Sequence, residues 1–406
     1  MRKMRLTATL GYILLFFFTI PFKSAFAQNK TQAFDLKNGD RVVFLGNSVF
    51  ENDFQFGLLE LALTTRFPDR NVTFRNLGWT GDNVFGDARS TFTNPPTAYQ
   101  HLMQNITKAE PTVVFLAYGG VEAQEGEAGL ARFTDGLNKL LNKVDELGAR
   151  AVLLSPIPVL SGDSSANLAR RNADLKLYSS AIAKIASERG KPFIDIYNPI
   201  AEVSKKAVIT ENGVHLNDTG YYYLAAAMEK GLGLERKNTL VDITVSKSAA
   251  DAGASAKILD AGKDYNNLKF TLDESYLSLP VPKAITDEAQ VIKIKGLKKG
   301  FYTLTVNEEE VISASAKKWA EGIAIRQGPS FVQARALQDL IVKKNDLFFF
   351  QYRPMNETYI IGFRAYEQGK HVKDLEDQSI LIKYLESQIS LIRAPKASVY
   401  QLKRLD

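Results

Sequence analysis

The feature that most constrains this chain is a succession of short apolar runs between residues 40 and 231, each followed by a segment with helical spacing. The first run, Arg41-Val-Val-Phe-Leu-Gly46, is rich in β-branched and aromatic residues and stops at a glycine. Such a run reads as a strand buried on both faces, and the carboxyl ends of parallel strands are where open α/β sheets place their ligands. Further strands are expected at Asn71 to Asn76, Thr112 to Ala117, Ala149 to Ser155 and Phe193 to Ile196. Between them, apolar residues recur at helical spacing in Phe54 to Arg66, Pro95 to Lys108, Gly129 to Leu147 and Asn167 to Arg189, with a last helix from Tyr221 to Gly231. Strands alternating with helices require right-handed crossovers. The expected fold is therefore α/β, a three-layer α/β/α sandwich with a mostly parallel sheet over residues 34–233.

Past Leu234 the texture changes. Val241 to Val245 and Leu268 to Leu272 alternate, and Val291 to Gly296 and Gly300 to Val306 flank a glycine-bearing turn, a pattern that predicts an antiparallel hairpin. Helical spacing returns at Ser330 to Lys344, then an aromatic run, Leu347 to Tyr352, and a charged helix from Lys373 to Arg393. Residues 234–406 are expected to form a smaller α+β accessory region, consistent with a chain of 406 residues being too long for one ordinary core. Residues 343–364 are dense in aromatics, for which core plus caps is the favoured reading over a substrate loop. Trp319 and Tyr359 are candidate sugar-stacking rings, although an isolated aromatic is more often a core residue.

Residues 1–27 stand apart: Arg2, Lys3 and Arg5 precede an apolar stretch from Leu10 to Phe22, and Ala25-Phe-Ala27 offers small residues for cleavage. This predicts a secretory signal peptide and an exported protein, periplasmic or secreted, with no membrane span in its mature part. Without Arg2, Lys3, Arg5 and Lys23 the net charge falls from +6 to +2, so the alkaline isoelectric point gives no reason to expect a nucleic-acid partner. The absence of cysteine excludes thiol chemistry and thiolate metal sites, and only His101, His215 and His371 are available as imidazole ligands. No cofactor and no metal are expected.

Chemistry is suggested by Ser48, delivered just past the first strand in Gly46-Asn47-Ser48. On the tripeptide alone a helix N-cap is an equal reading. Three further blocks accompany it: Asn76-Leu-Gly-Trp-Thr-Gly-Asp82, Tyr118-Gly-Gly120 and Asn212-Gly-Val-His215. In order and spacing these blocks resemble those of the SGNH (GDSL) hydrolases, and the resemblance runs from about Val42 to Leu232. It implies a sheet of flavodoxin-like type, Ser48 as nucleophile and His215 as its base, oriented by residue 212. It also implies oxyanion donation by the backbone amides of Ser48 and Gly78. Asn47, Asn76, Trp79 and Glu122 become candidate substrate-loop residues, while His101 and His371 lack any such neighbourhood.

The chain departs from the family pattern at three polar positions. Asn47 replaces an aspartate and keeps its shape. Val121 stands where the third block usually carries an asparagine, and loss of one oxyanion donor costs about 10²–10³ in turnover. Asn212 replaces the aspartate that orients the histidine, a change that lowers turnover by about 10⁴ in a serine protease. Glu211 or Asp218 are candidates to substitute for that carboxylate, and Gln124 for the missing amide. Two functions follow: an esterase acting on a small acyl ester such as an acetylated carbohydrate, or a hydrolase scaffold that binds a glycan or protein without turnover. A purely structural role would leave Ser48 and His215 unexplained as a pair. The sequence is silent on oligomeric state.

Overall fold

The structure is a computed structural model and describes residues 34–89, 96–162, 164–234, 240–246, 249–262, 267–272, 274–285, 290–353 and 372–405. The expected leader at 1–27, Tyr359 and His371 lie outside the described residues. Five strands form the first sheet: β1 (Arg41–Gly46), β2 (Thr73–Asn76), β3 (Val113–Ala117), β4 (Arg150–Leu154) and β5 (Phe193–Ile194). All pair in parallel, in the order β2-β1-β3-β4-β5. This is the flavodoxin-like order, which reverses direction at β1 and opens a crevice at that strand's carboxyl end.

The apolar runs of β1 and β3 are explained by burial on both faces. Val42 and Phe44 of β1, with Val113 and Phe115 of β3, join one core; Val43, Leu45, Val114 and Leu116 join the other. Helices α2 (Leu58–Arg66) and α7 (Asp218–Gly231) pack on the first face. On the second lie α3 (Ala98–Lys108), α4 (Leu130–Glu146) and α5 (Ser165–Glu188). Two short helices complete this part, α1 (Ser48–Glu51) and α6 (Tyr197–Ser204). The sequence reading did not include α6; its Pro199 sits in the first turn, where a missing N–H costs nothing.

The later strands are β6 (Leu240–Val245), β7 (Ala250–Asp251), β8 (Lys257–Ala261), β9 (Asn267–Thr271), β10 (Gln290–Lys295), β11 (Phe301–Val306), β12 (Glu309–Ser315), β13 (Ile323–Ile325) and β14 (Val399–Leu405). They form two sheets, ordered β13-β10-β6-β7 and β12-β11-β14-β9-β8, around a shared core that includes Ile243, Ile292, Tyr302, Leu304 and Leu402. The expected hairpin across Gly296 to Gly300 does not exist. β10 pairs in parallel with β6, and β11 pairs with β12 and β14, so the turn carries the chain from one sheet to the other. The true hairpin is β11–β12, turned at Asn307 and Glu308, both with positive φ.

Three helices belong to this later part: α8 (Ala316–Glu321), α9 (Pro329–Tyr352) and α10 (Val372–Ile392). The aromatic run Leu347 to Tyr352 is the end of α9. Helices α9 and α10 pack on each other and lie along β2, the edge strand of the first sheet. Lys344 Nζ donates to Phe74 O of that strand at 3.2 Å, and Arg75 pairs with Glu386 of α10 at 2.6 Å. An otherwise open strand edge is thus covered, a common protection against edge-to-edge association. The same lysine meets both carboxylate oxygens of Glu60 on α2, at 2.7 and 2.6 Å, with both side chains buried. Burial lifts the Glu60 carboxyl above its usual range and lowers the Lys344 ammonium. Among the described residues no helix is long and apolar enough to cross a membrane.

Candidate active site

Ser48 is the first residue of α1, immediately after β1. Its helix is capped by Asn47, whose Oδ1 accepts the Val49 amide at 3.2 Å. Asn47 is buried, and a Cβ on Gly120 would come within 3.2 Å of its Nδ2. The N-cap reading therefore holds for Asn47, which joins the loops after β1 and β3 and does not line an open cleft. Half-buried Ser48 is left with neither its amide nor its Oγ in a hydrogen bond among the described residues.

The turn after β2 runs beside α1. Asn76 Nδ2 donates to Phe50 O at 2.6 Å, while its Oδ1 accepts the Gly78 amide at 2.9 Å. The Gly78 amide, expected to face the oxyanion, is thus committed elsewhere. Its glycine has another cause: a Cβ there would lie 2.2 Å from the Glu51 amide nitrogen, so close contact with α1 forbids a side chain. Trp79 donates its amide to Gly46 O at 2.9 Å, Thr80 donates to Glu51 Oε2, and Asp82 donates to Trp79 O at 2.9 Å. Gly81 alone in this turn has an amide with no acceptor among the described residues. It has φ +78° and open space around its α-carbon. Counting amides, which sequence reading does not do, separates Gly81 from Gly78, whose amide is already engaged.

Behind the turn, Asp82 and Arg89 form a fully buried ion pair at 2.7 Å, joined by the Tyr118 hydroxyl at 3.2 Å. Burial lifts the Asp82 carboxyl against the pull of Arg89. Glu122 is also interior: its oxygens accept the Val84 amide at 3.0 Å and the Gly119 amide at 2.8 Å, and burial raises its pKa to about 7. It therefore ties two loops together and does not act as a substrate-loop residue. Trp79 is half-buried, with the Arg353 guanidinium 3.6 Å above its ring and Arg89 at 5.0 Å. Trp319 is fully buried, its indole donating to Tyr302 O at 3.3 Å, which rules out sugar stacking there.

His215 precedes α7 in a loop that is bound to the segment after β4: Leu160 donates to Gly213 O at 2.7 Å and Ser161 Oγ to Asn212 O at 3.1 Å. From the first turns of α7, the Tyr221 hydroxyl donates to Val49 O at 2.8 Å, and it lies 3.4 Å from Ser48 O. The helix that follows His215 is accordingly in contact with the helix that begins at Ser48, though the two residues do not hydrogen-bond to each other.

Asn212 holds the histidine in a specific way. Its Oδ1 accepts two backbone amides, from Val214 at 3.1 Å and His215 at 2.9 Å, which fixes the orientation of its amide group. The Nδ2 group is left facing His215 Nδ1 at 3.3 Å. An NH₂ group only donates, so Nδ1 must accept, and the neutral imidazole then carries its proton on Nε2. That is the opposite of what a general base facing a serine needs.

The proposed substitutes fare unequally. Asp218 Oδ1 accepts the Thr219 amide at 2.7 Å within its own helix. Gln124 is exposed. Glu211 is exposed as well, and its charge contributes, after burial, Asp53 and Glu51, to raising the Tyr221 hydroxyl. Among the described residues no three His, Cys, Asp or Glu side chains gather at metal-binding spacing.

A parallel sheet in this order, with a serine past β1 and a histidine loop ahead of the helix that touches α1, defines an α/β domain of the SGNH hydrolase class. Residues 44–223 match the model of the GDSL-like lipase/acylhydrolase family. Among solved structures, BT4096, a gut microbial diltiazem-metabolizing enzyme, shares the fold with a TM-score of 0.69 and 19% identity, over 91% of this chain and 99% of that one. The likeness thus extends into the accessory region. A catalytic mutant of Axe2, an acetylxylan esterase from Geobacillus stearothermophilus, aligns over 50% of this chain and 100% of its own, at 15% identity and TM-score 0.41. No curated protein sequence matches the chain.

Proposed function

We propose that the protein is an exported serine esterase that cleaves small acyl esters, with Ser48 as nucleophile and His215 as its proton carrier. With His215 in its Nδ1–H tautomer, Ser48 Oγ attacks the ester carbonyl as its proton passes to His215 Nε2, and the tetrahedral oxyanion is held by the amides of Ser48 and Gly81. Collapse expels the alcohol, which takes the proton from His215, and water then releases the acyl group by the same steps in reverse. The observation that carries this reading is the pair of uncommitted amides, Ser48 and Gly81, on two adjoining segments whose other amides are mostly engaged. Export and an O-acetylated carbohydrate as natural substrate are proposed on sequence grounds.

One observation favours a second reading, binding without turnover: the Asn212 amide holds His215 in the unproductive tautomer. Incubation with a fluorophosphonate probe and with p-nitrophenyl acetate separates the two. The esterase reading expects labelling at Ser48 and slow release of nitrophenol, both lost in Ser48→Ala. An unlabelled wild type that still binds acetylated glycans would establish the second.

A further inference from the structure

We infer that the last turn of α9 serves the site as a positioning clamp, with Tyr352 and Arg353 holding the Gly78–Asp82 turn so that the Gly81 amide faces Ser48. The inference rests on the esterase reading for its catalytic consequence, while the clamp itself is a matter of geometry.

The peptide between Gly78 and Trp79 is held at both of its polar ends. Its N–H donates to Gly46 O at 2.9 Å, and its carbonyl accepts the Tyr352 hydroxyl at 2.6 Å. A peptide plane fixed in this way cannot rotate without breaking one of the two bonds. The next amide, Thr80, donates to Glu51 Oε2, and the other oxygen of that carboxylate takes Arg353 Nη1 at 2.6 Å. Arg353 therefore neutralises and orients the group that grips the turn, and its guanidinium also covers the Trp79 ring. Both side chains of the Glu51–Arg353 pair are largely buried, at 13% and 19% exposure, so solvent screens the contact only partly.

The clamp has a fixed base. Upstream on α9, Gln338 donates to Phe56 O at 2.7 Å, Lys344 holds Glu60, and Phe349 stacks on Phe54 at 5.0 Å. The turn it grips packs directly against α1 at Gly78, so any shift of the turn changes the spacing between Gly81 and Ser48. A displacement of about 1 Å at a reacting site costs about a hundredfold in rate. A helix end that merely covered Trp79 would need neither the hydrogen bond to Gly78 O nor the carboxylate relay to Thr80.

The test compares Tyr352→Phe, Arg353→Ala and Arg353→Lys in the full chain. The measurements are kcat and KM on p-nitrophenyl acetate, the rate of Ser48 labelling by a fluorophosphonate, amide exchange across residues 77–82, and thermal midpoint. Tyr352→Phe and Arg353→Ala are expected to speed exchange in the turn and lower kcat about tenfold to a hundredfold, with KM nearly unchanged. Arg353→Lys, which keeps the charge, should recover part of the loss, and Tyr352→Phe should leave the midpoint nearly in place. Unchanged exchange in the turn overturns the clamp, and so does full kcat with a loosened turn. If wild-type Ser48 is never labelled, it is the esterase reading that fails, and exchange alone then decides whether the pair holds the turn.

Discussion

Replacing Asn212 by aspartate should raise turnover, and the structure sets the size of the gain. In the variant one carboxylate oxygen keeps the two amides that Asn212 Oδ1 now accepts, from Val214 and His215. The other oxygen takes the place of Nδ2, 3.3 Å from His215 Nδ1, and accepts a proton where the amide had offered one. Removing that donor-facing-donor conflict from the productive tautomer gains about 1–3 kcal/mol. A carboxylate and an imidazolium at that separation attract by roughly 5 kcal/mol at an effective dielectric of about 20 and by roughly 1 kcal/mol in bulk water. Residue 212 is exposed and His215 half-buried, which places the value towards the lower figure. Roughly 3–4 kcal/mol in all corresponds to about 10²–10³ in kcat. Steady-state hydrolysis of p-nitrophenyl acetate by wild type and Asn212→Asp reads the gain, and nitrogen chemical shifts of the imidazole read the tautomer. The reasoning is refuted if kcat does not rise while Ser48 is still labelled, or if neutral wild-type His215 already carries its proton on Nδ1.

Other perturbations address stability. Lys344→Ala leaves Glu60 buried without its counter-ion and should cost about 3–5 kcal/mol in urea unfolding, whereas Glu60→Leu with Lys344→Met should cost much less. Glu122 gives a pH dependence. Its folded pKa is raised from 4.5 to about 7 by burial, so its contribution is fully present below about pH 4.5 and lost as pH rises to about 7. The loss amounts to roughly 3 kcal/mol. Urea unfolding of wild type and Glu122→Gln at several pH values should show their difference changing across that interval and flat above it.

The parallel sheet was legible because strands buried on both faces leave unbroken apolar runs, and Val42 to Leu45 is one. The rim was less so. Asn47, Asn76 and Glu122 are polar residues beside a candidate serine, and sequence does not tell a side chain that joins two loops from one that meets substrate. Gly78 and Gly81 illustrate the limit: both are glycines in one block, and only the fate of each amide separates them. The hairpin expected across Gly296 to Gly300 failed for a related reason. Glycines permit a turn but do not say whether the strands on either side will pair, and here β6 and β14, distant in sequence, took the partners.

The lysine that α9 inserts beside Glu60 bears on how this protein can be handled. A fragment ending near residue 234, where the texture of the sequence changes, would carry every chemical group of the proposed site. It would also take Lys344 away from Glu60 and leave a bare strand edge at β2. Such a fragment has reason to aggregate, so the catalytic half is not separable from the rest by truncation.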